Sequence, residues 1–176
     1  MTRFQICFKS ALIGISAAVA GAGFTAVAAD TASNATEGAL DLRPGDEADV
    51  CDPSIPQIRV TVNGVEPYGI LLVEIYRNDP KNFLSSKGRI ARARVAAEIG
   101  PQTVCLNIDG PGMYAVASYH DRDGDRKLDK KWNRLPKEPF ALSTNPKLKL
   151  RKPRFREAAF EAGELGADIK LDLRRI

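Results

Sequence analysis

The sequence predicts an all-β fold, an antiparallel sandwich of about seven strands, and three observations carry that expectation. Apolar residues alternate with polar ones over strand-length runs, glycine-containing turn signals separate those runs, and the globular part of about 125 residues suits one domain. In chain order, Ile58, Val60 and Val62 alternate with Arg59, Thr61 and Asn63, and Leu71, Val73 and Ile75 with Leu72, Glu74 and Tyr76. Val104, Leu106 and Ile108 then alternate with Cys105 and Asn107, and Ile169, Leu171 and Leu173 with Lys170, Asp172 and Arg174. Each such run is a strand with one buried face. Residues 89–95, 113–120 and 158–162 are weaker candidates, set off by Val62-Asn63-Gly64, Asp109-Gly110-Pro111-Gly112 and Ala162-Gly163.

The segment before these strands has a different character. Arg3 and Lys9 flank a basic start, an apolar run covers residues 11–27, and Ala26-Val27-Ala28-Ala29 offers small residues for cleavage. Residues 1–29 are therefore expected to be a secretory signal peptide, which places the mature chain in the periplasm or outside the cell. Gly14, Ser16, Gly21 and Gly23 within the run argue against a retained anchor, and no other segment is apolar enough to span a bilayer. Residues 30–50, rich in small, polar and acidic side chains, are expected to be a flexible lead-in, and residues 51–176 the sandwich domain.

Cleavage would leave 24 basic against 22 acidic residues, a net charge of +2 in place of +4. So weak and dispersed a surplus argues against a nucleic-acid partner. It would also remove Cys7, leaving Cys51 and Cys105. An even pair in an oxidising compartment predicts a disulfide worth about 4 kcal/mol in the chain-entropy model, the competing state being two unpaired buried thiols. Cys105 falls on the polar phase of its strand, so the bridge should lie outside the core and pin the segment before the first strand. Neither cysteine has a Cys-x-x-Cys neighbour, which argues against redox catalysis and zinc.

Three stretches concern function. Asp109-Gly110-Pro111-Gly112-Met113-Tyr114 reads as a tight corner delivering a tyrosine into a strand, as in the tyrosine corner of sandwich folds, and gives Tyr114 a structural role. Next, Asp121, Asp123, Asp125 and Asp129, with the Lys127 carbonyl, follow the spacing of the first nine positions of an EF-hand loop, where carboxylates converge on a hard cation. Calcium is the candidate ion and Glu138 a further ligand. The pattern breaks at Arg126, where the turn calls for glycine, and at Trp132, where a bidentate glutamate belongs. The competing state is a self-neutralising surface loop. Last, Lys147, Lys149, Arg151, Lys152, Arg154 and Arg156 interleave with Leu148, Leu150, Pro153 and Phe155, a pattern suited to an anionic partner or to a solvated edge or loop whose apolar residues pack inward.

The run Tyr114-Ala-Val-Ala-Ser-Tyr-His120-Asp121, the acidic loop, Leu135-Pro136-Lys137-Glu138, Ser143-Thr144-Asn145-Pro146 and the segment from Pro153 to Phe160 together resemble one family throughout. It is the exported bacterial family catalogued as a domain of unknown function, DUF2141. The resemblance covers residues 58–173 and implies an immunoglobulin-like or transthyretin-like sandwich without an assigned activity. It carries over to Tyr114, His120, Asp121, Asp123, Asp125, Asp129, Pro136 and Glu138, while Arg126 and Arg134 stand where the family loop is usually richer in Asn and Gly, which counts against the calcium affinity that the spacing suggests. The expected function is thus a non-catalytic exported module of the cell envelope that binds a protein or an envelope polymer. The alternatives are a hydrolase using His120, the single histidine, with the adjacent acids, and a purely structural envelope protein.

Overall fold

The β-branched alternation Ile58-Val60-Val62 places one apolar face along β1 (Gln57–Val65), and all three side chains are fully buried. Seven more strands follow in the computed structural model, which describes residues 40–132, 135–147 and 149–175. They are β2 (Ile70–Arg77), β3 (Arg89–Ala96), β4 (Gly100–Asn107), β5 (Gly112–Asp121), β6 (Phe140–Leu142), β7 (Phe160–Ala162) and β8 (Gly166–Asp172). The expected signal peptide and the start of the lead-in lie outside the described residues, as do Arg134 and Leu148. Among the described residues no helix is long and apolar enough to cross a membrane.

Two sheets face each other. One has the order β4-β1-β8, the other β3-β2-β5-β6 with β7 also pairing β5. Their inner faces meet in a core that includes Ile58, Val60 and Val62 of β1, Leu71, Val73 and Ile75 of β2, Val104 and Leu106 of β4, Val116 of β5 and Leu171 of β8. The all-β sandwich is thus as expected, with one departure from antiparallel pairing: β1 and β8 run parallel. No hairpin links these two strands, because the rest of the domain is their connection, and a parallel pair needs such a long crossover. Gly166 starts β8 at φ +88° with the Gln57 carbonyl 1.7 Å from where a Cβ would sit, so only glycine lets the two strands approach.

Residues 158–162, expected as one strand, divide into a short helix α1 (Phe155–Ala158) and β7. The break has a local cause: the Glu157 carboxylate accepts the Arg154 backbone N–H at 2.9 Å, which caps a helical turn before the strand can begin. Phe155 then drops into a second cluster with Tyr76, Phe83 and Leu142, its ring edge-on to Phe83 at 5.6 Å. The corner before β5 forms as expected, with the Tyr114 hydroxyl donating to the Gly110 carbonyl at 2.7 Å.

The Cys51–Cys105 bridge is present, with Cα atoms 5.3 Å apart. Cys105 is nonetheless fully buried, because the lead-in covers it. Asp49 donates its N–H to the Cys105 carbonyl at 2.9 Å and accepts the Asn107 N–H at 2.7 Å. Gln57, itself fully buried, reaches the Val50 carbonyl and the Asn107 side chain, both at 2.7 Å. The lead-in, expected to be flexible through residue 50, is therefore docked from Asp46 onward.

Candidate functional site

The acidic loop leaves the end of β5 under close constraint. Gly69, at φ +74°, lies so near that a Cβ there would sit 2.2 Å from the Asp121 carbonyl. Asp121 is buried, and each of its oxygens accepts a backbone N–H, from Gly124 at 2.8 Å and from Arg126 at 2.7 Å. Glu138 is also buried and accepts the N–H of Arg122 at 2.9 Å and of Asp129 at 3.2 Å. Two carboxylates thus organise the loop from its two ends, leaving spare lone pairs.

Of the expected cation ligands, the structure brings together Asp121, Asp123 and Glu138, whose ligand oxygens lie within 4.8 Å of one another. The carboxylates of Asp125 and Asp129 fall outside that group. Asp125 accepts the Lys127 N–H at 2.8 Å, and Asp129 pairs with Lys137 at 3.2 Å. The divergence begins at Arg126, which adopts φ +70° where the spacing calls for glycine. Burial pushes the Asp121 carboxyl up against the backbone N–H groups that lower it, and Asp123 adds to the rise. Burial likewise raises Glu138, helped by the charges of Asp121 and Asp123.

Arg126 is held in its left-handed conformation by what its side chain touches. It pairs with Asp46 at 2.5 Å, as do Arg92 at 2.8 Å and Arg94 at 2.9 Å, so three guanidinium groups share one carboxylate. Burial would raise Asp46, but the hydrogen bond from Arg126 and the charges of Arg94 and Arg92 hold it at about 2. Arg94 is 7% exposed and its Nε has no hydrogen-bond partner. Sequence reasoning missed this cluster, since its arginines stand 46 to 80 residues from Asp46 along the chain.

Two of these arginines, Arg94 and Arg126, open onto a cleft of about 930 Å³ over the outer face of the five-stranded sheet. Ala117, Tyr119, Phe140 and Leu142 of β5 and β6 contribute to its lining, one wall comes from Arg126, Lys127, Leu128, Lys130, Leu135 and Pro136, and the other from residues 146–147 and 149–153. Nine basic side chains line it against two acidic ones, Glu74 and Glu157. Glu74 is taken by Arg89 at 2.5 Å, and Glu157 by Lys149 at 3.0 Å and Arg151 at 2.6 Å. Among the described residues, Lys127, Lys130, Lys147 and Lys152 have no ion-pair partner. Burial pushes the Tyr119 phenol up to about 12, the nearby Arg94 cation opposing.

The basic stretch therefore forms a cleft wall as a loop rather than an edge strand. Its apolar members do not all pack inward: Leu150 is 85% exposed, whereas Phe155 is buried. Lys147, Lys149, Arg151 and Lys152 face the cleft, while Arg154 and Arg156 are exposed beyond its lining.

His120 lies elsewhere. It is fully buried, its Nε2 donates to the Tyr68 carbonyl at 2.6 Å, its ring packs 5.5 Å from that of Tyr68, and burial lowers its pKa. The adjacent Ser118 is also buried, its hydroxyl donating to the Leu72 carbonyl at 2.8 Å.

No curated protein and no solved structure matches the chain. The pattern of one bacterial family does match, from residue 60 to residue 170, a span that takes in the sandwich, the acidic loop and both cleft walls. The chain accordingly belongs to the DUF2141 family, described as an uncharacterized protein conserved in bacteria.

Proposed function

We propose that the chain is an exported, non-catalytic binding module of the cell envelope, and that the cleft over the outer sheet face receives an anionic partner. The observation that carries this is the imbalance of charge in the cleft, nine cations to two acids, with both acids already paired. Lysines without an ion-pair partner among the described residues stand on opposite walls, where they raise the local potential and attract polyanions. The burial of His120 and Ser118, with both side chains bonded to backbone carbonyls, favours a packing role for them over a catalytic one.

Binding of dextran sulfate by the mature, disulfide-bonded protein tests this, measured by calorimetry at rising ionic strength. Affinity should fall with salt and be lost in Lys147→Glu/Lys152→Glu, yet persist in Lys170→Glu, an exposed position on the three-stranded sheet. Equal loss in both variants, or no binding, would overturn the proposal.

A second role rests on Asp121, Asp123 and Glu138, which offer a hard divalent cation three carboxylate groups in one place. Calcium there would offset the burial, and the smaller mutual repulsion, that raise Asp121 and Glu138, and would stiffen the cleft wall that follows. Millimolar calcium should then raise the melting temperature above its value in EDTA, an effect that Asp123→Asn removes and Asp125→Asn spares. No calcium shift would leave Asp121 and Glu138 as organisers of the loop backbone alone.

A further inference from the structure

We infer that the ligand of the cleft is an acidic oligosaccharide, a chain of uronate-type sugars whose carboxylates meet Arg94 and Arg126 and the lysines of the two walls. This rests on the cleft being the binding surface and names the chemistry that fits it.

The first observation is the surplus at Arg94. Three guanidinium groups converge on the single carboxylate of Asp46, and Arg94, almost wholly buried, keeps its Nε without a partner while lining the cleft. A planar fork of donors in a desolvated wall complements a planar carboxylate. The second is the distribution of the remaining charge. Lys127 and Lys130 stand on one wall and Lys147 and Lys152 on the other, which suits acids repeated along a chain better than one compact anion.

The third observation concerns the floor. Tyr119 and Phe140 lie there as neighbours in register on β5 and β6, offering flat apolar surface among the cations, and sugar rings present apolar C–H faces to such surface. An extended acidic peptide is the rival occupant, and its usual mode is to add a strand to a free sheet edge. That mode is blocked at β5, which is paired with β2 on one side and with β6 and β7 on the other, and at Phe140 of β6, which exchanges both backbone hydrogen bonds with Arg174, so the cleft floor there presents side chains rather than a backbone ladder.

Calorimetry on the mature, disulfide-bonded protein tests the inference with three probes: tetragalacturonate, its methyl ester, and poly-L-glutamate at matched carboxylate concentration. Saturable binding of the uronate is expected, weakened by about tenfold or more in the ester, in poly-L-glutamate and in Lys130→Glu/Lys147→Glu. Arg94→Lys, which keeps the charge but loses the fork, should also weaken binding. The exposed lysine pair carries the test if melting curves show that the Arg94 variant is unfolded. Equal affinity for poly-L-glutamate or for the ester would overturn the choice of an acidic sugar while leaving an anion-binding cleft in place. Failure of all three probes alongside retained dextran sulfate binding would also overturn it. Absence of binding to any polyanion would remove the cleft proposal itself.

Discussion

The five-stranded sheet buries its two faces by different means. On the inner face Leu71, Val73, Ile75 and Val116 pack against β1 and β4, and the buried polar members of that face, Ser118 and His120, are each bonded to a backbone carbonyl. On the outer face the apolar cover is local: Tyr76, Phe83 and Phe155 stack edge-on at 5.3 and 5.6 Å, and the surface then opens into the cation-lined cleft. β2 belongs to both, which is why seven of its eight residues are buried or half-buried and its alternation is blurred. The difference teaches where each kind of residue is free to vary. Inner-face residues are constrained by volume, whereas the charged residues of the outer face are constrained only where another charge holds them.

Perturbing each region should separate the two kinds of constraint. The largest effect is expected from Leu71→Ala on the inner face, a fully buried residue whose truncation leaves a cavity and costs about 3 kcal/mol in denaturant unfolding. A loss below about 1 kcal/mol would mean that the inner face is loosely packed. Next comes Asp46→Asn, which leaves three arginines facing an uncharged group and should cost about 3 kcal/mol at most. Its pH signature is distinctive. Because Asp46 is held at about 2, its contribution is fully present above the ordinary carboxylate range and is lost as pH falls toward 2. The variant should lack that acid limb in melting experiments.

A smaller loss, about 1 kcal/mol, is expected for Tyr114→Phe, which deletes the bond to the Gly110 carbonyl while preserving the ring. The smallest is Lys147→Glu, exposed and unpaired among the described residues, which should leave stability within about 0.5 kcal/mol while weakening polyanion binding. A comparable stability loss there would erase the distinction between the faces.

The inner face was legible in the sequence because a single alternation wrote it: Ile58-Val60-Val62 and Val104-Leu106 need only period-two reading. β6 was not legible, since Phe140-Ala141-Leu142 is too short to show a period and exists through its pairing with β5. The parallel β1–β8 pair escaped for a related reason, since no turn joins the two strands. The acidic loop was half legible. Spacing located Asp121, Asp123 and Glu138, but the left-handed turn at Arg126 sends Asp125 and Asp129 to other partners. The cleft needed the fold, because its two walls and the Asp46 cluster come from distant segments that only sheet pairing brings together.

The central claim is that anions bind the outer face of the five-stranded sheet, and backbone amide NMR on the mature protein tests it most directly. Titrated tetragalacturonate or dextran sulfate should shift residues 117–119, 126–130, 140–142 and 147–152, leaving β1, β4 and β8 unmoved. Shifts concentrated on those three strands, or no shifts with either polyanion, would contradict it.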